Sequence, residues 1–204
     1  MKIKICGLTQ PGEASYLNEN GADFAGFVLF FPKSKRHVTC AQARAIFEQL
    51  IPSIRKVAVT VSPSAAELRE IEETGFDFVQ IHGDFPPKRL SETKLPVLRA
   101  FNAGNIAEYA LWRDQPQVTG FLFDAAEPGS GKTFDWSSLS AIDRNEKLFI
   151  LAGGLTPENV ASAIEAVHPD MVDVSSGVEY GDGRPGKDPE KVAAFIRAAR
   201  SVEK

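Results

Sequence analysis

The chain has 204 residues, enough for one domain with a substantial core, and its two cysteines are too few for a disulfide framework. Its 23 Lys and Arg against 27 Asp and Glu give a net charge of −4. The basic residues are scattered rather than gathered in a stripe, which argues against a nucleic-acid binder, and no apolar run approaches the roughly 20 residues that span a bilayer. With no apolar leader, a cytoplasmic protein is expected, with Cys6 and Cys40 as reduced thiols, although the two could pair.

In chain order, apolar β-rich runs fall at residues 2–5, 24–30, 56–61, 78–81, 97–101, 120–123, 148–151 and 172–174. Most are apolar on both faces, as buried parallel strands are. Helical patterns lie between them, among them 39–51, 64–74, 157–167 and 189–201. In the last, Val192, Phe195, Ile196 and Ala199 form one stripe. Eight strands alternating with eight helical segments predict a single (β/α)8 barrel, a TIM barrel, over residues 1–204. An Asp precedes a strand in Asn20-Gly21-Ala22-Asp23-Phe24, in Thr74-Gly75-Phe76-Asp77-Phe78 and in Val167-His168-Pro169-Asp170-Met171. This echo points to repeated supersecondary units. The alternative, a doubly wound sheet, usually carries a glycine fingerprint after its first strand, and none is present.

In a barrel the residues just after each strand share one face. Here they are Cys6-Gly7, residues 31–36, Ser62-Pro63, His82-Gly83, Asn102, Asp124, Gly153-Gly154 and Ser175-Ser176-Gly177, a set rich in acid-base and anion-binding groups. A thiol at the tip of the first strand is a poor structural choice, and nucleophile, metal ligand and disulfide partner are all open for it. The glycines of Ala152-Gly153-Gly154-Leu155 and Ser175-Ser176-Gly177-Val178 fall after strands seven and eight. Barrels often build phosphate sites there from backbone N–H groups and a helix start. A phosphorylated small-molecule substrate is therefore expected, although glycines after strands also serve simply as turn formers. Asp124 ends an apolar strand, a setting in which a carboxyl holds its proton and suits a general acid; capping a turn is the plainer role.

Arg36, in Ser34-Lys35-Arg36-His37, suits bidentate recognition of a carboxylate, or is a solvated loop residue. His82 could be an acid, a base, a ligand or a hydrogen-bonded barrel-mouth residue. No second His or Cys stands beside it at metal-ligand spacing, so no metal is predicted. The stretch 126–133 ends Gly131-Lys132-Thr133 and imitates a nucleotide-binding loop. Phe134-Asp135-Trp136 follows where such a loop runs straight into a helix, so a flexible cover over the site is the preferred reading.

Six motifs in order then coincide with one family. They are Lys4-Ile5-Cys6-Gly7-Leu8-Thr9; Gln80-Ile81-His82-Gly83; Phe123-Asp124 followed by Gly129-Ser130-Gly131-Lys132-Thr133-Phe134-Asp135-Trp136; Leu151-Ala152-Gly153-Gly154-Leu155-Thr156-Pro157-Glu158-Asn159-Val160; Asp173-Val174-Ser175-Ser176-Gly177-Val178-Glu179; and Gly186-Lys187-Asp188. The chain resembles the phosphoribosylanthranilate isomerases of tryptophan biosynthesis end to end, with Lys35 standing where many members carry proline. The resemblance implies an Amadori rearrangement without a cofactor, because the substrate's own amine supplies the iminium electron sink. It implies Asp124 as general acid, Cys6 as thiolate general base and Arg36 on the anthranilate carboxylate. Gly154, Ser176 and Gly177 would hold the phosphate, with His82 and Gly153 also at the substrate. A thiol ionising near about 8.5 needs a positive setting to serve as a base at neutral pH.

Three rivals remain at this point. A histidine-pathway isomerase would be expected to use two aspartates, against which Cys6 stands. An ATP-dependent phosphotransferase would rest on Lys132-Thr133. A phosphate-binding barrel without catalysis would bind but not turn over. A monomer or homodimer is expected, with no nucleic-acid or membrane partner.

Overall fold

The computed structural model describes residues 1–102, 106–124, 139 and 142–202. Eight parallel strands close into a barrel in sequential order. They are β1 (Lys2–Cys6), β2 (Phe24–Val28), β3 (Arg55–Val61), β4 (Phe78–His82), β5 (Val97–Asn102), β6 (Val118–Asp124), β7 (Leu148–Ala152) and β8 (Met171–Val174). Every strand expected from the sequence is present. The tips of β1, β4, β5, β6 and β7 each reach one residue beyond the apolar run, onto Cys6, His82, Asn102, Asp124 and Ala152, whereas β2 stops at Val28, two residues short of it.

Strand alternation divides the apolar residues between two cores. One set, including Ile3, Ile5, Phe27, Ile81, Phe121, Leu151 and Val172, packs outward against the helices. The other fills the barrel: Phe24, Val57, Val59, Leu98, Ala100, Leu122, Ile150 and Met171, with Cys6 at its edge.

The crossovers are uneven. Regular helices α1 (Glu13–Asn20), α2 (Cys40–Phe47) and α3 (Ala65–Thr74) follow the first three strands. Thr39 with Gln42 and Ser64 with Glu67 form capping boxes at the starts of α2 and α3. After β4 the chain makes only a 3-10 stretch, Pro87–Glu92. After β5 a 3-10 turn runs into the four-residue α4 (Tyr109–Trp112). The helix α5 (Val160–Val167) follows β7, and α6 (Pro189–Arg200) closes the ring. Two helices are shorter than the sequence pattern implies. At the end of α2, Gln49 and Leu50 donate to carbonyls three residues back, and Pro52 stops the helix. Before α5, Asn159 takes the Thr156 N–H on Oδ1 and donates to the Gly154 carbonyl, which fixes residues 156–159 as a turn. No described helix is long and apolar enough to cross a membrane.

The repeated Asp has a physical role. Asp23, Asp77 and Asp170 each stand just before an even-numbered strand and accept a backbone N–H at the start of the preceding odd one. The donors are Ile3 at 2.8 Å, Lys56 at 2.7 Å and Phe149 at 2.8 Å. Each Asp returns its own N–H to the carbonyl of that same residue at 2.9 Å. The motif thus satisfies a strand-start donor that parallel pairing leaves over. Asp77→Ala is expected to lower unfolding stability by about 1.5–3 kcal/mol, the usual worth of a hydrogen bond to a charged group. Urea unfolding measures this, and an unchanged midpoint would remove the role.

Candidate active site

A cavity of about 490 Å³ opens at the C-terminal ends of the strands. Cys6, Arg36, His82, Asp124, Gly153, Gly154 and Ser176 all line it, so seven of the eight residues singled out in the sequence meet around one space. Cys6 and Asp124 end β1 and β6, with β7 and β8 between them, and face the cavity from different walls. The eighth, Gly177, sits behind Ser176 and packs the two loops together. A Cβ there would fall 1.9 Å from the Leu155 carbonyl oxygen, a clash that only glycine avoids. Gly153 and Gly154 both take positive φ, 87° and 65°, in the loop that precedes α5. The stretch 126–133 and residues 134–136 lie outside the described residues.

Several site residues were not singled out from the sequence. Lys4 and Asp173 point into the barrel from neighbouring strands and form an ion pair, Nζ to Oδ2 2.9 Å, with Lys4 fully buried. The other Asp173 oxygen, Oδ1, is buried without a hydrogen-bond partner, and Asp173 lines the cavity. Gln80 lies inward on β4 below His82 and places its Nε2 2.8 Å from the histidine Nε2. With the amide donating, the ring accepts at Nε2 and carries its proton on Nδ1. The readable signal was a charged or amide residue at an inward position of an otherwise apolar strand.

Arg36 is held from behind. Its Nε donates to Glu179 Oε1 at 2.5 Å, Lys35 reaches Oε2 at 2.7 Å, and buried Lys187 approaches Oε1 at 3.3 Å. Burial by itself would raise the Glu179 carboxyl, but hydrogen bonds from Arg36 and Lys35 and the Lys187 charge hold it at about 2. Lys187 also donates to the Ser175 carbonyl and hydroxyl, and Ser175 Oγ donates to the Cys6 carbonyl at 3.0 Å. Glu13 ties the β1 loop to the same segment by accepting from the N–H groups of Thr9, Gln10 and Lys187.

Burial governs the titrating groups of the cavity. It pushes the Cys6 thiol above its ordinary value; Lys4 pulls it down, Asp173 pushes it up and Lys187 pulls it down, and the balance stays raised. The positive setting expected for the thiol is therefore present but outweighed by burial. Burial first, then the charges of Lys4 and Arg99, lower His82 to about 4, so its ring is neutral across the physiological range. Among the described residues no three His, Cys, Asp or Glu side chains gather as a metal site.

These features define a class: a parallel (β/α)8 barrel whose polar, anion-suited cavity occupies the face where barrels of this kind carry out catalysis. The chain belongs to the N-(5'-phosphoribosyl)anthranilate (PRA) isomerase family, whose model matches residues 3–198. It is 39% identical, over the full length of both chains, to the N-(5'-phosphoribosyl)anthranilate isomerase of Listeria monocytogenes serotype 4b. The crystal structure of the phosphoribosyl anthranilate isomerase of Thermotoga maritima superposes with a TM-score of 0.87 at 37% identity, covering 98% of this chain and 99% of that one. A further solved structure, of phosphoribosyl anthranilate isomerase in complex with reduced 1-(o-carboxyphenylamino)-1-deoxyribulose 5-phosphate, gives a TM-score of 0.85 at 34% identity, covering 98% of this chain and 99% of that one.

The two depressed groups make stability acid-sensitive in sequence. His82 binds a proton near 6.5 when unfolded but only near 4 when folded, so its contribution is complete above about 6.5 and lost as pH falls towards 4. Glu179 follows, its contribution being lost between the ordinary carboxylate range and about 2. In urea unfolding, His82→Gln is expected to flatten the decline between pH 6.5 and 4, and Glu179→Gln the decline below it. A parent-like slope in either variant would contradict the corresponding assignment.

Proposed function

We propose that this chain converts N-(5'-phosphoribosyl)anthranilate to 1-(2-carboxyphenylamino)-1-deoxyribulose 5-phosphate in tryptophan biosynthesis, an aldose–ketose isomerisation by general acid–base catalysis. One observation carries the reading. In a chain of this family, Cys6 and Asp124 face a single cavity whose rim is made by the Gly153-Gly154 and Ser176 loops.

In this scheme Asp124 gives its proton to the furanose ring oxygen. The C1'–O bond breaks and the anilino nitrogen lone pair forms the iminium. Cys6, as thiolate, removes the C2' proton, and the electron pair left behind neutralises the iminium to give an enaminol. Ketonisation then moves a proton from the C2' hydroxyl to C1'; Cys6 releases its proton to solvent and Asp124 takes one up, so the catalyst is restored and the reaction needs no cofactor or co-reactant.

Arg36, gripped through Nε by Glu179, keeps its terminal nitrogens for the anthranilate carboxylate. Gly153, Gly154, Ser176 and Gly177 supply backbone N–H groups for the phosphate. His82, neutral, acts as a hydrogen-bonding wall of the substrate pocket. The positive iminium favours the thiolate at the moment the base is needed. One (β/α)8 domain spanning 1–204 performs the whole reaction in the cytoplasm, as a monomer or homodimer.

Turnover of freshly made phosphoribosylanthranilate, followed by loss of anthranilate fluorescence, tests the proposal. The parent is expected to turn over, and Cys6→Ala and Asp124→Ala each to lose about 10²- to 10⁴-fold in kcat, the usual worth of a positioned acid or base. Arg36→Met is expected to act chiefly on KM. Unimpaired turnover in a variant removes that residue's role, and an inactive parent removes the function.

A further inference from the structure

We infer that Lys4 is the positioning residue for the Cys6 sulfur, its ammonium shared between the Asp173 carboxylate and the thiolate. This rests on Cys6 being the base. Lys4 and Cys6 are alternate residues of β1, so both point into the barrel with the ammonium one layer below the sulfur. Their proximity is fixed by the wall of β2. The point where a Cβ of Gly26 would stand lies 2.8 Å from Cys6 Sγ and 3.1 Å from Lys4 Cε, so a side chain at Gly26 would drive into both. Lys4 is hydrogen-bonded to Asp173, and its charge lies close enough to the sulfur to act on it.

A purely structural account of Lys4 is weak. A buried ion pair seldom stabilises a fold better than apolar residues of the same volume, and the lower part of the barrel interior here is filled by Val, Leu, Ile, Phe and Met. An ammonium has three donors, and Asp173 takes one through Oδ2. Burial weakens the Lys4 charge, yet Asp173 and Cys6 together outweigh that effect and the lysine holds its proton more firmly than usual. The charge therefore persists beneath the thiol at every pH at which the enzyme could work.

The remaining groups that face the sulfur are few. Asp173 on β8 opposes ionisation, and Lys187, buried in the segment after β8, favours it. Arg36 comes from the loop after β2, His82 is neutral on β4, and Asp124 stands on the β6 wall. Of the cations, Lys4 is first in its effect on the sulfur. The two halves of the Lys4–Asp173 pair must then move the thiol in opposite directions, which a merely structural ion pair would not do.

The test needs no substrate. In a Cys40→Ser background, the rate of Cys6 alkylation by iodoacetamide is followed against pH. Lys4→Met is expected to move the midpoint up by about 1–3 units, the usual effect of one close charge, and Asp173→Asn to move it down. Unchanged midpoints, or shifts of the same sign, overturn the assignment. Because Lys4→Met leaves Asp173 buried and unpaired, the double variant Lys4→Met/Asp173→Asn provides a second reading. It must ionise at higher pH than Asp173→Asn alone, and equality overturns the proposal. Turnover measured in parallel separates this result from the isomerase reading. Opposite shifts in an inactive parent would leave Lys4's effect on the sulfur standing and remove the reaction, whereas flat midpoints in an active parent would remove Lys4 alone.

Discussion

The registration of β1 on β8 is the constraint from which the site follows. Closing the barrel sets Lys4 beside Asp173 and Ile5 beside Val174, and the same pleat turns Cys6 inward at the mouth. A slip of one residue would exchange the faces of β1. Ile3 and Ile5 would then enter the barrel, while Lys4 and Cys6 would be driven into the apolar layer beneath the helices, where an ammonium finds no counter-charge. The ion pair is thus a register lock as well as an electrostatic element, since only one pairing gives the lysine its carboxylate.

That lock makes the barrel interior asymmetric. Its lower part is filled with ordinary apolar side chains, whereas the part nearest the mouth carries Lys4, Gln80, His82, Asp173 and the thiol. Buried charges and amides there are balanced among themselves, and the imbalances are local: an oxygen of Asp173 and one of Gln80 are left without partners. Unmet acceptors at the lining of a cavity are costly and are satisfied most readily by the donors of a hydroxyl-rich ligand. Burial raises the thiol and lowers the imidazole for the same reason, so both Cys6 and His82 are held toward their neutral forms.

Behind the cavity a second network fixes what the first presents. Glu179 concentrates three cations, Glu13 fastens the β1 loop to the segment that carries Lys187, and Lys187 joins Ser175 to Glu179. The chain termini of the barrel are therefore cross-linked through side chains as well as through the β1–β8 ladder. Arg36, which belongs to neither terminus, is drawn into that network from the β2 loop. An arginine that looked equally like a solvated loop residue in sequence acquires a fixed direction only through Glu179, 143 positions further along the chain.

The sequence by itself determined the eight strands, the barrel, the face that carries the chemistry and the family. Each of these rests on local pattern: apolar runs of strand length, glycines in consecutive loops, and motifs of contiguous residues. The repeated Asp was legible as a pattern, but its reciprocal pairing with the preceding strand was not. Helix lengths were overestimated where a side-chain turn such as Thr156–Asn159 delays the start of a helix that composition alone would begin earlier. Tertiary structure alone decided that Gly177 braces the loops after β7 and β8 from behind, that His82 accepts from Gln80, and that Lys4 and Asp173 lie side by side beneath Cys6. Those two residues are 169 positions apart. Barrel closure brings the ends of the chain together, and the charge around a buried thiol depends on distances that no local pattern encodes.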